Sequence, residues 1–143
     1  MIAVDTNILV YAHREDSPWH GKALERVLGM ANSGAPWAIA WPSVHEFLAI
    51  ITHPKIYSPP TPLITALAAI EAWQASPGLR LLGEGPGYFE RFSKQALAGK
   101  IKGPKIHDAR IASICLHHGV KRLWSADRDF SSFPELRCEN PLV

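Results

Sequence analysis

Cysteine is scarce in this chain: only Cys115 and Cys138 occur among 143 residues. Two cysteines make neither a disulfide framework nor a complete cysteine zinc site. A reducing compartment fits best. Long apolar runs are missing too, and none reaches the ~20 residues that a membrane helix needs. The opening run is short and meets Asp5 at once, so no signal peptide is expected. A cytoplasmic protein without a membrane segment follows. Neither sign of charge dominates: Lys and Arg total 15, Asp and Glu total 13, and the sequence pI is about 8.6. That weak basic bias permits a nucleic-acid partner without arguing for one. No internal repeat and no linker is visible. The G-E-G-P-G segment at 83–87 lacks the glycine pattern of a dinucleotide fingerprint and the Lys and Ser/Thr of a phosphate-binding loop. It reads as a tight turn before a helix. The histidines show no zinc-ligand spacing, and no Ser-His-acid arrangement can be assigned.

What is present is a pattern of short strands and amphipathic helices in one domain, 1–143, with 47% hydrophobic residues. The run Ile2 to Val4 is too continuous for a half-wet strand and reads as a buried strand of an α/β sheet. Asp5 falls at its end. Further strands are expected at 37–40, 79–82 and 120–124, with a short edge strand at 136–138. Helices are expected over 18–30, 42–53, 62–75, 88–98 and 106–118, with a short helical turn at 8–12. Apolar spacing predicts inner stripes of Val44, Phe47, Leu48 and Ile51 in the second of these long helices. It predicts Leu63, Ala66, Leu67 and Ile70 in the third, and Phe89, Phe92 and Ala96 in the fourth. Gly119 reads as a helix stop.

The acids fall selectively within this frame. Asp5 ends a strand, Glu46 sits in a helix after the second strand, Asp108 lies in a first helical turn, and Asp127 and Asp129 follow a late strand. A parallel sheet puts strand ends and following helix starts on one rim, where ligands bind. Each acid has a plain alternative: Asp5 as a helix cap, Glu46 as an ordinary helix-face residue, Asp108 as a partner of the helix dipole, Asp127 and Asp129 as caps. Converging carboxylates repel unless a cation lies between them, and Mg²⁺ or Mn²⁺ takes such hard oxygen ligands. Lys94, Lys100, Lys102, Lys105 and Arg110 cluster around Asp108 and suit a phosphate backbone. Trp19, Trp37, Trp41, Tyr57 and Trp73 lie in or beside the first three helices. They either anchor a partner or pack under the proline-rich segment at 54–62.

Taken in order, V-D-T-N-I-L-V-Y-A at 4–12, H-E-F at 45–47, H-D-A-R-I-A at 107–112 and L-W-S-A-D-R-D-F at 123–130 resemble the PIN-domain ribonucleases. The likeness is to the VapC-type toxins of toxin–antitoxin pairs, and F-P-E-L-R-C-E-N-P-L at 133–142 looks like one subgroup of them. The resemblance implies a three-layer α/β/α sandwich around a mainly parallel sheet. It implies a metal-dependent endoribonuclease whose acidic site is Asp5, Glu46, Asp108 and Asp127, with Asp129 as a further or alternative ligand. Thr6, Asn7 and Ser125 look like the polar residues that support the site. Mg²⁺ or Mn²⁺, an RNA substrate, a small antitoxin and a homodimer are implied with it. A non-catalytic interaction module on the same fold is the alternative. A phosphatase of the haloacid dehalogenase type needs a second Asp two residues after the first, where this chain has Asn7.

Overall fold

The computed structural model describes the backbone of residues 1–143 and every side chain except those of Arg128 and Asp129. Five strands, β1 (Ile2–Val4), β2 (Trp37–Ala40), β3 (Leu79–Leu82), β4 (Arg122–Trp124) and β5 (Arg137–Glu139), form one sheet in the order β3-β2-β1-β4-β5. Every pairing is parallel. The helices are α1 (Thr6–His13), α2 (His20–Ala31), α3 (Trp41–Ile51), α4 (Leu63–Gln74), α5 (Tyr88–Ala98) and α6 (Lys105–His117), with a 3-10 helix at Arg128–Ser132.

Strand alternation divides the core into two clusters, one per face of the sheet. Val4, Trp37 and Ile39 face α1 to α4 and meet Ile8, Leu9, Val27, Phe47 and Ile70. Ala3, Ala38 and Ala40 point the other way, toward Ala109, Ala112 and Cys115 of α6. Three alanines on that face let α6 lie close to the strands, while the bulky side chains fill the thicker opposite layer. The result is the three-layer sandwich expected. Gly119 stops α6 at φ 75°, a left-handed conformation that costs glycine little.

Several helix faces differ from the apolar spacing. On α5, Phe89 is 71% exposed and Gln95 is buried. On α4, Leu63 and Leu67 are exposed, and only Ala66 and Ile70 are buried. Trp37 is fully buried in the core and anchors no partner. Its indole nitrogen donates to Ser76 Oγ at 3.0 Å. Tyr57 lies under the Arg14 guanidinium, 4.2 Å from its ring centroid. Arg14 also bonds the Pro59 carbonyl and Thr61 Oγ1, so this arginine ties the proline-rich segment to the end of α1. No helix among the described residues is long and apolar enough to cross a membrane.

Candidate active site

The sheet order makes β1 the strand where the chain changes direction. β2 and β3 build outward on one side of it, β4 and β5 on the other. Ligands of open α/β sheets bind outside the carboxyl ends of the strands at such a switch point. Asp5 stands at the end of β1 and Ser125 at the end of β4, joined by the Asp5 N–H donating to the Trp124 carbonyl at 2.9 Å.

Asp5 caps a helix and stands at the rim as well. It is the N-cap of α1, its Oδ1 accepting from the Thr6 N–H at 2.8 Å. Its Oδ2 accepts from Ser125 Oγ at 2.7 Å. Only 6% of the residue is exposed. Burial pushes its pKa from an ordinary 3.8 up to about 6, the bonds from Ser125 and Thr6 pull it down, and the charges of Glu46 and Asp108 push it up further. A buried carboxylate thus faces two others at the rim.

The polar support is a closed network. The Ala126 N–H donates to Asn7 Oδ1 at 3.2 Å, which orients the amide so that Nδ2 donates to Ser125 Oγ at 3.2 Å. Asp127 N–H donates to the same hydroxyl at 3.0 Å. With both lone pairs of Ser125 Oγ occupied, its one proton goes to Asp5. Thr6 Oγ1 donates to Glu46 Oε2 at 3.1 Å, tying α3 to the start of α1. The three polar residues read from the sequence therefore each hold an acid or the loop that carries one.

Asp5, Glu46 and Asp108 come together electrostatically, and Asp127 is linked to Asp5 through Ser125. Asp129 lies outside the described side chains. Among the described residues, no three His, Cys, Asp or Glu side chains stand close enough together to hold an ion as they are. The donor chemistry nevertheless fits a hard divalent cation: the acids are carboxylates without a competing thiolate or imidazole among them, and their mutual repulsion at Asp5 is what a cation would relieve. Cys138 was not anticipated here. Its sulfur donates to the Asp127 carbonyl at 3.5 Å, and burial, reinforced by the charges of Asp5 and Asp127, pushes its thiol up to about 11. It is a neutral neighbour rather than a nucleophile. No local signal marks it, because its partner is reached through the β4–β5 pairing.

Lys100 and Lys102 are exposed on the loop leading into α6, and Lys105, also exposed, is the first residue of that helix. Arg110 differs from the lysines: its Nε donates to Glu84 Oε1 at 2.5 Å, an ion pair between α6 and the turn after β3. On the opposite flank, α1, α2 and α4 enclose an apolar cleft of about 540 Å³, with Leu9, Ala12, Leu24, Leu28, Ala72 and Trp73 in its walls.

The sequence matches the PIN domain family over residues 2–136. It is 33% identical to Ribonuclease VapC48 of Mycobacterium tuberculosis over 140 residues, covering 96% of this chain and 94% of that protein. It is 32% identical to VapC ribonuclease Mb2897 of Mycobacterium bovis, covering 99% of this chain and 96% of that protein. Among solved structures, VapBC-1 from nontypeable Haemophilus influenzae superposes with a TM-score of 0.69 at 16% identity, covering 100% of both chains. VapC20 of Mycobacterium tuberculosis, a toxin that cleaves the sarcin-ricin loop, superposes with a TM-score of 0.67 at 17% identity, covering 92% of this chain and 94% of that one.

Proposed function

The chain belongs to the PIN domain family, and from that premise we propose that it is a VapC-type endoribonuclease toxin, held in check by a small antitoxin. The observation that carries the reading is the buried Asp5 at the switch point, facing the charges of Glu46 and Asp108. The names of its relatives as VapC ribonucleases support RNA as the substrate.

Asp5, Glu46, Asp108 and Asp127 are the residues that would hold Mg²⁺ or Mn²⁺. When bound, such an ion lowers the pKa of water and stabilises charge on a phosphate under attack. The chain's own contribution is positional. Ser125 and the Thr6 N–H fix both oxygens of Asp5, Thr6 Oγ1 steers Glu46, and Asn7 holds the strand-end loop on which Asp127 stands. None of these groups forms a covalent intermediate. Lys100, Lys102 and Lys105 flank the Asp108 end of α6 and supply phosphate contacts that orient the strand without reading its bases. Hydrolysis leaves a 3′-hydroxyl and a 5′-phosphate.

The apolar cleft between α1, α2 and α4 suits a short amphipathic helix of an antitoxin. Leu9 in its wall lies one turn of α1 beyond Asp5, so a basic side chain on that helix can reach the acids. Exposed Phe89 and Leu97 on α5 leave apolar surface for a second copy, in a homodimer. The test is purified protein with total RNA, with Mg²⁺ and with excess EDTA. Cleavage that needs the ion and is suppressed by co-expression of the neighbouring reading frame is expected. Equal cleavage in EDTA would overturn the metal mechanism, and no cleavage in either condition would overturn the ribonuclease.

A further inference from the structure

Beside the acids, over the carboxyl ends of β4 and β5, lies a second cavity of about 500 Å³. That size falls within the ~300–1,000 Å³ typical of small-molecule sites. Ser125 and Asp127 form the wall it shares with the acidic site, and the Ser125 hydroxyl is one hydrogen bond from Asp5. Its occupant is therefore a neighbour of the reacting phosphate.

The lining says what that occupant is. The base of the cavity is apolar: Phe130, Phe133 and Leu136 border it from the core, the phenylalanines each 1% exposed. Ser131, Pro134 and Asn140 are exposed at its edge. None of the described lining residues is Lys, Arg or His, and Asp127 carries negative charge. Among the described lining residues a phosphate has no cation to bind. A flat, neutral ring with hydrogen-bonding edges needs none. Asn140 is oriented for reading such an edge: its Oδ1 accepts from the Leu142 N–H at 3.0 Å, which leaves the amide NH₂ as its donor toward a ligand.

We propose that this cavity receives an unstacked nucleobase next to the scissile phosphate, and that the Asn140 amide donates to an edge acceptor of that base, favouring the base whose acceptor falls opposite it. The inference rests on the ribonuclease reading and adds to it a base-specific subsite in a single-stranded RNA, the form in which bases can be splayed out and read. The lysines grip every sequence alike, whereas this pocket distinguishes among them.

The test uses a pool of single-stranded RNA with randomised positions. Cut sites are sequenced after incubation with the wild type, Asn140→Asp and Ser131→Trp. The RNAs retained by Asp5→Asn are sequenced in parallel, with and without the same two substitutions. Asn140→Asp keeps the acceptor that caps Leu142 but removes the donor, and Ser131→Trp fills the cavity. The wild type should show a base preference at one position flanking the cut. Asn140→Asp should reduce that preference about tenfold, the size of one hydrogen bond left opposite an unmatched group, and leave preferences at other positions alone. Ser131→Trp should erase it. Comparing ratios between bases separates this effect from a uniform loss caused by the added charge. A preference unmoved by both substitutions, in variants whose melting shows they fold, overturns the pocket. Absence of cleavage by the wild type overturns the ribonuclease instead, and the retained RNAs still report on the pocket.

Discussion

Replacing Asp5 with Asn should abolish cleavage and yet stabilise the metal-free protein at neutral pH. Asp5 titrates at about 6 in the folded chain instead of 3.8, mainly because it is buried. At 1.36 kcal/mol per pH unit, holding it ionised above pH 6 costs the fold about 3 kcal/mol. The sign follows from linkage: the folded state binds the proton more tightly, so Asp5 favours folding fully below pH 3.8 and this advantage is lost as pH rises through 6. Asn carries no charge and escapes that loss. It mismatches one of the two donors that Asp5 accepts, Thr6 N–H and Ser125 Oγ, at about 1–1.5 kcal/mol. A net gain of about 1.5–2 kcal/mol at pH 7.5 corresponds to roughly 4–8 °C in Tm for a domain of this size. The gain should shrink through pH 6 and reverse slightly near pH 3.5. Thermal melts of both proteins in EDTA across that range measure it. Addition of Mg²⁺ should then raise the Tm of the wild type and leave the variant nearly unmoved. A variant no more stable than the wild type at pH 7.5, or a difference independent of pH, would refute the account of Asp5 as a buried charge awaiting a cation.

Three further outcomes are expected. Ser125→Ala takes the Ser125 acceptor from Asn7 Nδ2 and the Asp127 N–H and a donor from Asp5; it should cost about 1–3 kcal/mol in urea denaturation, and the acid limb of the activity–pH profile should move upward. Lys100 stands at positive φ, 52°, a left-handed conformation that costs a non-glycine residue. Lys100→Gly should therefore gain about 1 kcal/mol of stability while weakening RNA binding and flattening its salt dependence, read by melting and by a salt titration of affinity. Leu28→Glu puts a charge into the exposed wall of the apolar cleft; it should disrupt the antitoxin complex on size-exclusion chromatography while cleavage by the free protein persists.

The chain's local chemistry determined a good deal by itself. An unbroken apolar run that stops at an acid can be little else than a buried strand delivering Asp5 to a rim, and β1 ends there. Pro42 at the start of a helix and Gly119 just beyond the end of one act through backbone preferences that need no neighbour, and α3 and α6 follow them. The PIN-type motifs rest on the same local order. Which way each helix turns was decided elsewhere. Phe89 and Gln95 occupy α5 in opposite senses to their hydrophobicity, because an eleven-residue helix with apolar residues on several sides takes its orientation from what packs on it, here α6. Ser125 could be suspected of supporting the site, but its role as the one hydroxyl shared by Asn7, Asp127 and Asp5 arises only when β4 pairs beside β1. The cavity that Asn140 edges is built by a different pairing, β4 beside β5, and its lining comes from residues 125–143 alone. The bonds from Asn7 to Ser125 and from Ser125 to Asp5 join residues more than a hundred positions apart, and no spacing along the chain encodes them; they exist because parallel strands set distant ends side by side.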